Sequence, residues 1–258
     1  MHLIDTHCHL DFEVFDDCRQ QVVEQAMQVG VRQFVVPSVT RARFQNVLQL
    51  ANNFPNVYPA LGLHPCFISE HQRSDIDVLQ GLLSHSRVCA LGEIGLDARE
   101  GMVAMDIQLA LFDEQLLLAR RFSKPVILHV VKAHDLVLSR LRRIRGQAGG
   151  VVHAFSGSEQ QAREYAKLGF YLGMGGSLTY SRATKLQGLV QRLPLKWWVL
   201  ETDAPDMPLQ GFQGRPNTPS QVRRVAEKFS ELSGVSLEEV AEQTNLNARQ
   251  CFGVDHLL

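Results

Sequence analysis

The chain has 258 residues, a formal net charge of −1 and a hydrophobic fraction of 45%. That length suits one barrel-sized domain, and the near-neutral charge excludes a protein that holds nucleic acid or anionic membrane by bulk electrostatics. No apolar run approaches the roughly 18 residues of a membrane span, and the first ten residues lack the basic-then-apolar order of a secretory signal, so a cytoplasmic protein without a membrane partner is expected.

Short apolar runs alternate with longer amphipathic stretches. The first strand, over 3–5, leads into Asp5-Thr6-His7-Cys8-His9. Side chains alternate along a strand, so both imidazoles share one face about 7 Å apart and Cys8 points away. Such a pair suits a borderline divalent metal. A helix is expected over 17–29, a strand over 33–36, a helix over 41–53 and a strand over 57–61, which ends in Gly62-Leu63-His64-Pro65. After a helix over 75–85, the strand over 88–91 ends in Gly92-Glu93-Ile94-Gly95-Leu96-Asp97. The clearest helix covers 104–122, with Ile107, Leu111 and Leu118 among its apolar positions, at three- and four-residue spacing. The fifth strand, over 126–128, ends in His129, and a helix over 133–144 follows. The sixth, over 151–152, ends in His153. A helix over 159–168 opens on Ser158 and Gln161, which match a capping box. The seventh strand, over 170–172, runs into Gly173-Met174-Gly175-Gly176-Ser177, and a helix over 183–192 follows. The eighth strand, over 197–200, ends in Glu201-Thr202-Asp203. Beyond the irregular stretch 205–219, Thr218-Pro219 reads as N-cap and first helical residue of a helix over 220–232. Ser236 and Glu239 match the capping box of a last helix over 237–252.

Most strand runs are continuously apolar, as in a parallel sheet buried on both faces. Eight strand–helix units argue for a closed barrel or an open doubly wound sheet, and the count favours the barrel. The expected architecture is α/β: one (β/α)8 TIM-like barrel domain over 1–258 with an extra C-terminal helix.

In a barrel every strand end lies on one rim. His7, His9, Glu93, His129, His153 and Asp203 then converge although they are far apart in the chain. Six ligands exceed what one tetrahedral ion needs, so two divalent cations per chain are expected: zinc, manganese or magnesium. Glu93 is the natural bridge, with His7, His9 and Asp203 completing one ion and His129 and His153 the other. Paired cations generate a metal-bound hydroxide nucleophile at neutral pH. Asp203 is placed to accept a proton from it, which makes Asp203 and Glu93 the expected catalytic carboxylates. A structural zinc site fits less well, because such sites are usually rich in cysteine. The five cysteines are scattered, without a Cys-x-x-Cys pair, and read as reduced thiols.

The Asp5–His9, Gly62–Pro65 and Gly92–Asp97 segments, His153-Ala154-Phe155-Ser156-Gly157 and Glu201-Thr202-Asp203-Ala204-Pro205 together resemble the TatD family of metal-dependent hydrolases, within the amidohydrolase superfamily. Gln108 through Ala119 is also similar to that family's fourth helix. The resemblance covers essentially the whole chain. It implies a TIM-like barrel, a two-metal site on the ligands named above, and phosphodiester hydrolysis, with nucleic acid as substrate and deoxyribonuclease as the activity. Val131 and Lys132 stand where the family often has Arg-Asp or Arg-Glu, and Asp206 where it often has Tyr. The 215–219 segment matches the family's Arg-Asn-x-Pro element only with an insertion. These positions border the metals, so they bear on the substrate. The alternative is a small-molecule amidohydrolase, esterase or lactonase on the same metals. A non-catalytic metal-binding protein is the third reading. No obligate protein partner is evident.

Other signals are weaker. His64, on the same rim, is read as a substrate-binding residue that contacts phosphate or stabilises transition-state charge, or else as support for a metal ligand. Lys132 offers a similar contact or a solvated side chain. The glycines of 173–176 expose backbone N–H groups to phosphate or form a plain turn. Arg140, Arg142, Arg143 and Arg145 read as a solvated helix end, while Arg215, Arg223 and Arg224 lie nearer the rim.

Overall fold

The computed structural model describes residues 1–146 and 148–253; Gln147 and the end of the expected 1–258 domain, 254–258, lie outside the described residues. Eight parallel strands follow one another in chain order: β1 (Leu3–Asp5), β2 (Val31–Pro37), β3 (Val57–Leu61), β4 (Ala90–Asp97), β5 (Val126–Val131), β6 (Gly150–Val152), β7 (Phe170–Met174) and β8 (Trp198–Leu200). Between and after them run α1 (Arg19–Gln28), α2 (Phe44–Asn53), α3 (Ser74–Leu82), α4 (Met105–Arg121), α5 (His134–Arg143), α6 (Glu159–Lys167), α7 (Thr184–Arg192), α8 (Val222–Ser233) and α9 (Leu237–Phe252). This is the expected TIM-like barrel with its additional C-terminal helix.

Apolar alternation divides the core in two. Ile4, Val35, Ala60, Ala90, Ile127, Val151 and Val199 form an inner layer, against which Ala248 and Phe252 of α9 pack. The remaining apolar residues fill the larger layer between strands and helices. α9 therefore plugs the bottom of the barrel, and burying Phe252 there contributes about 2–3 kcal/mol. Two of its asparagines also serve backbone that no strand pairs. Asn245 Nδ2 donates to His2 O at 2.8 Å, and Asn247 Nδ2 to Trp198 O at 2.7 Å.

The top of the β1–β8 seam closes differently. Thr6 N donates to Leu200 O (3.0 Å), Asp203 N to His7 O (2.8 Å) and His9 N to Ala204 O (2.7 Å). Backbone just past the two strand ends thus completes the ring and presses residues 7–9 against 203.

Several expected strands prove longer, among them β5 and β7, which continue to Val131 and Met174. β2 covers 31–37 rather than 33–36. β4 was expected at 88–91; it runs from Ala90 to Asp97 and contains an irregularity, since Leu91 pairs with Val126 but Ile94 with Leu128, one extra residue on β4. Such a bulge exchanges the faces of every later side chain. Ala90 faces the barrel interior and Leu91 the helices, yet Ile94 and Leu96 also face the helices. Glu93 and Asp97 are thereby turned inward.

The Ser158–Gln161 capping box forms with both hydrogen bonds. Ser236 caps α9 by accepting from Glu239 N. Thr218, expected as an N-cap, makes no capping bond: Pro219–Gln221 form a tight turn before α8, and the Thr218 hydroxyl meets that of Ser220. Among the described residues no helix is long and apolar enough to cross a membrane.

Candidate metal centre

The six expected ligands all stand at the carboxyl end of the barrel; His9, Glu93, His129, His153 and Asp203 line a cavity of about 510 Å³, and His7 is buried behind them. His7 Nε2 lies 3.3 Å from His9 Nε2, 3.2 Å from Glu93 Oε2 and 3.5 Å from Asp203 Oδ1. His9 Nε2 lies 3.8 Å from Glu93 Oε2 and 3.6 Å from Asp203 Oδ1. Four donors at tetrahedral corners, with bonds of about 2.0–2.1 Å, would be about 3.3–3.4 Å apart. The donor set therefore fits a divalent cation in spacing and in chemistry, with two imidazoles and two carboxylates. His9 Nδ1 faces Pro37 O at 3.2 Å. Donating its proton there leaves the Nε2 lone pair facing the other three groups. Cys8 points away, as expected, into the layer under the helices, with Sγ directed at Val35 O.

A second group gathers on the other oxygen of Glu93. His129 Nδ1 lies 3.1 Å and His64 Nε2 3.3 Å from Glu93 Oε1. The far nitrogen of His129 meets Asp97 Oδ2 at 2.9 Å. Such a carboxylate orients a ligating imidazole and raises its basicity. His153 has the same arrangement across the cavity. Its Nδ1 lies 2.9 Å from Glu201 Oε1 and its Nε2 3.5 Å from Asp203 Oδ2, while its ring stacks on His7 at 3.6 Å. The expected companionship of His129 and His153 is thus not a direct one. His129 sits with Glu93, Asp97 and His64, and His153 with His7, Glu201 and Asp203.

Charge follows this geometry. Burial works against the charged form of Glu93, but His64, His7 and His129 outweigh it and hold the carboxyl well below its usual range. Burial also opposes protonation of His129 and His153. Asp97 chiefly in one case, Glu201 and Asp203 in the other, reverse the effect and raise both rings. Asp5 has no such cation. Burial pushes it up to about 8, and it is occupied in tying the seam, accepting from the Thr202 hydroxyl at 2.6 Å.

His64 lines the cavity. The backbone N–H of Cys66 donates to its Nδ1 at 3.1 Å, so the neutral ring carries its proton on Nε2 and presents a donor toward Glu93 Oε1. Lys132 instead borders a separate depression with His134 and Asp135. The glycines of 173–176 serve packing. A Cβ on Gly173 would come within 2.2 Å of Glu201 Oε2, and one on Gly176 within 2.4 Å of Met207 O. Arg142 pairs with Glu164, and Arg140 and Arg143 with Asp113, a solvated helix face as expected. Arg223 is taken by Glu227 and Arg224 lies over the Phe212 ring; neither lines the cavity.

Sequence reasoning missed Asp97, Glu201 and Arg99. The signal for the first two was present, since each is an acid within a quoted motif, an even number of residues from a ligand on the same run. Nothing in the pattern marked Arg99.

Comparison with known proteins shows the family. A family model described as TatD related DNase matches residues 4–253. The uncharacterized metal-dependent hydrolase YjjV of Escherichia coli is 43% identical, over 97% of this chain and 98% of its own. YabD of Bacillus subtilis, also an uncharacterized metal-dependent hydrolase, is 34% identical over 98% and 100%. A mouse protein described as a candidate deoxyribonuclease is 32% identical over 97% and 88%. The crystal structure of E. coli YjjV, a TatD homolog, superposes with a TM-score of 0.95 over 98% of each chain. The chain belongs to the TatD-related DNase family and is a metal-dependent hydrolase on a (β/α)8 barrel.

Proposed function

We propose that the protein hydrolyses phosphodiester bonds of nucleic acid, as a deoxyribonuclease, with two divalent cations bridged by Glu93. One observation carries the reading: the two oxygens of Glu93 face two different donor groups, Oε2 toward His7 and His9, Oε1 toward His129. His7, His9, Glu93 and Asp203 would hold the first cation; Glu93, His129 and His153 would hold the second. When bound, the cations supply Lewis-acid activation of water and neutralise charge on the substrate's oxygens. Asp203 faces both His7 and His153, where it can accept a proton from water. His64 offers its Nε2–H to an oxygen that gains charge in the transition state. Asp97 and Glu201 act through the rings they hold.

A second reading, hydrolysis of a small ester, lactone or amide, is favoured by the lining of the cavity. Three carboxylates, Glu93, Asp203 and Asp206, face it with one arginine, a sparse footing for a long polyanion.

The test is cleavage of an end-labelled single-stranded oligonucleotide by protein stripped with chelator and reloaded separately with magnesium, manganese or zinc. Metal-dependent cleavage that disappears in Asp203→Asn is the expected result. No cleavage by protein of confirmed metal content would sink the nuclease reading and leave the small-molecule one.

A further inference from the structure

Arg99 is the one lysine or arginine that lines the cavity among the described residues. It stands just past the end of β4, two residues beyond Asp97, and that acid fixes it. Arg99 Nε lies 2.9 Å from both Asp97 oxygens, Nη2 lies 2.5 Å from Oδ2, and its backbone N–H donates to Oδ1 at 3.0 Å. Nη2 also meets Cys66 Sγ at 3.5 Å. Asp97 is fully buried while the arginine side chain is 50% exposed. Nη1 takes part in none of these contacts. A pinned guanidinium with one unused edge in a cavity has lost its rotamer freedom before any ligand arrives, so little entropy remains to oppose binding.

The placement is specific as well as rigid. The Asp97 oxygen that takes Arg99 Nη2 also takes His129 Nε2. One carboxylate therefore sets both a metal ligand and the arginine, at a fixed offset. The lining also carries the acid Asp206, beyond β8, while Arg99 brings a permanent cation to it just past β4.

We propose that Arg99 forms an oxyanion subsite beside the second cation, binding a non-reacting phosphate or carboxylate group of the substrate through Nη1. The subsite rests on the two-cation reading and sharpens it, because it selects substrates with an anionic group next to the bond that is cleaved. A phosphate neighbouring the scissile one in a nucleic acid and the carboxylate of a small ester or amide share the chemistry.

The experiment is calorimetric titration of manganese-loaded full-length protein with inorganic phosphate, and separately with acetate, in wild type and Arg99→Gln. Metal is counted on each sample and affinity expressed per loaded chain. A charge-assisted hydrogen bond of this kind corresponds to a weakening of about 10- to 100-fold, which is the loss expected for phosphate in Arg99→Gln. An equal loss for acetate, bound as tightly as phosphate by wild type, supports the subsite and assigns it to carboxylates. Phosphate affinity within about twofold of wild type, with both ions retained, overturns the subsite and leaves the two-cation reading standing. Failure of wild type itself to take up two ions overturns that reading and the subsite with it.

Discussion

His7, His9 and Asp203 stand on backbone beyond the ends of β1 and β8, whereas Glu93 and His129 stand inside β4 and β5. The first half of the centre is held by hydrogen bonds across the seam between the two ends of the chain. The second is held by a ladder that runs from Leu91 to Asp97 on β4 and from Val126 to Val131 on β5, with a bulge between Leu91 and Ile94. The contrast shows two ways to aim a ligand at one point. A seam positions side chains by tying loops together, and a bulge positions them by changing which face of a strand they occupy. Glu93 belongs to both halves, one oxygen to each.

Removing Glu93 is therefore the strongest way to break the comparison. Glu93→Ala is expected to empty both halves, with metal content falling below about one ion per chain and activity falling at least about 10²-fold. Elemental analysis beside a rate assay checks this, and two ions retained per chain would remove the bridging role. Smaller changes reach one half. Asp97→Asn frees His129, and Glu201→Gln frees His153, each lowering metal affinity by about 10- to 100-fold. Stepwise metal titration should show the second ion weakened in both variants and the first retained. A different ion weakened in each would mean that His129 and His153 do not share the second cation.

The bottom of the seam offers a third contrast, with stability in place of metal. Asn247→Ala leaves Trp198 O without its donor inside the core, at a cost of about 1–3 kcal/mol. Urea unfolding is expected to show a lower midpoint with metal content unchanged. Loss of metal in that variant would show that the two ends of the seam are coupled.

These contrasts also separate what the sequence carried from what it did not. The ligands were legible because each is a metal-type residue at the end of a β-rich run, and the barrel brings all such ends to one rim. His7 and His9 needed only alternation. Glu93 was expected on the rim for an incomplete reason. It was placed past the end of a strand that in fact continues, and its inward aim depends on an extra residue in the register, which leaves no mark in hydrophobic pattern. Seam closure was illegible for a related reason: it consists of backbone bonds between residues 6–9 and 200–204, which any side chains can make. Arg99 escaped because a solvated arginine and one pinned by a buried acid look the same in sequence.

Buried histidines outside the centre give the smallest and cleanest contrast. His134 is as buried as His153, but it faces Tyr165 and Phe155 rather than carboxylates. Burial, with Lys185 adding to it and Asp135 opposing, brings its pKa down to about 4 from 6.5, opposite in direction to His129 and His153. A ring harder to protonate when folded than when unfolded binds fewer protons in the native state between those two values. Its contribution to stability is complete above pH 6.5 and is lost as pH falls toward 4. The loss amounts to about 1 kcal/mol by pH 6. His134→Gln cannot titrate there. Urea unfolding of metal-free protein at pH 7 and pH 6 should therefore show wild type losing about 0.7 kcal/mol more than the variant, while His129 and His153, common to both, cancel. Equal losses in the two proteins would mean that this ring finds a partner that the packing around it does not show, and that burial alone does not decide the direction.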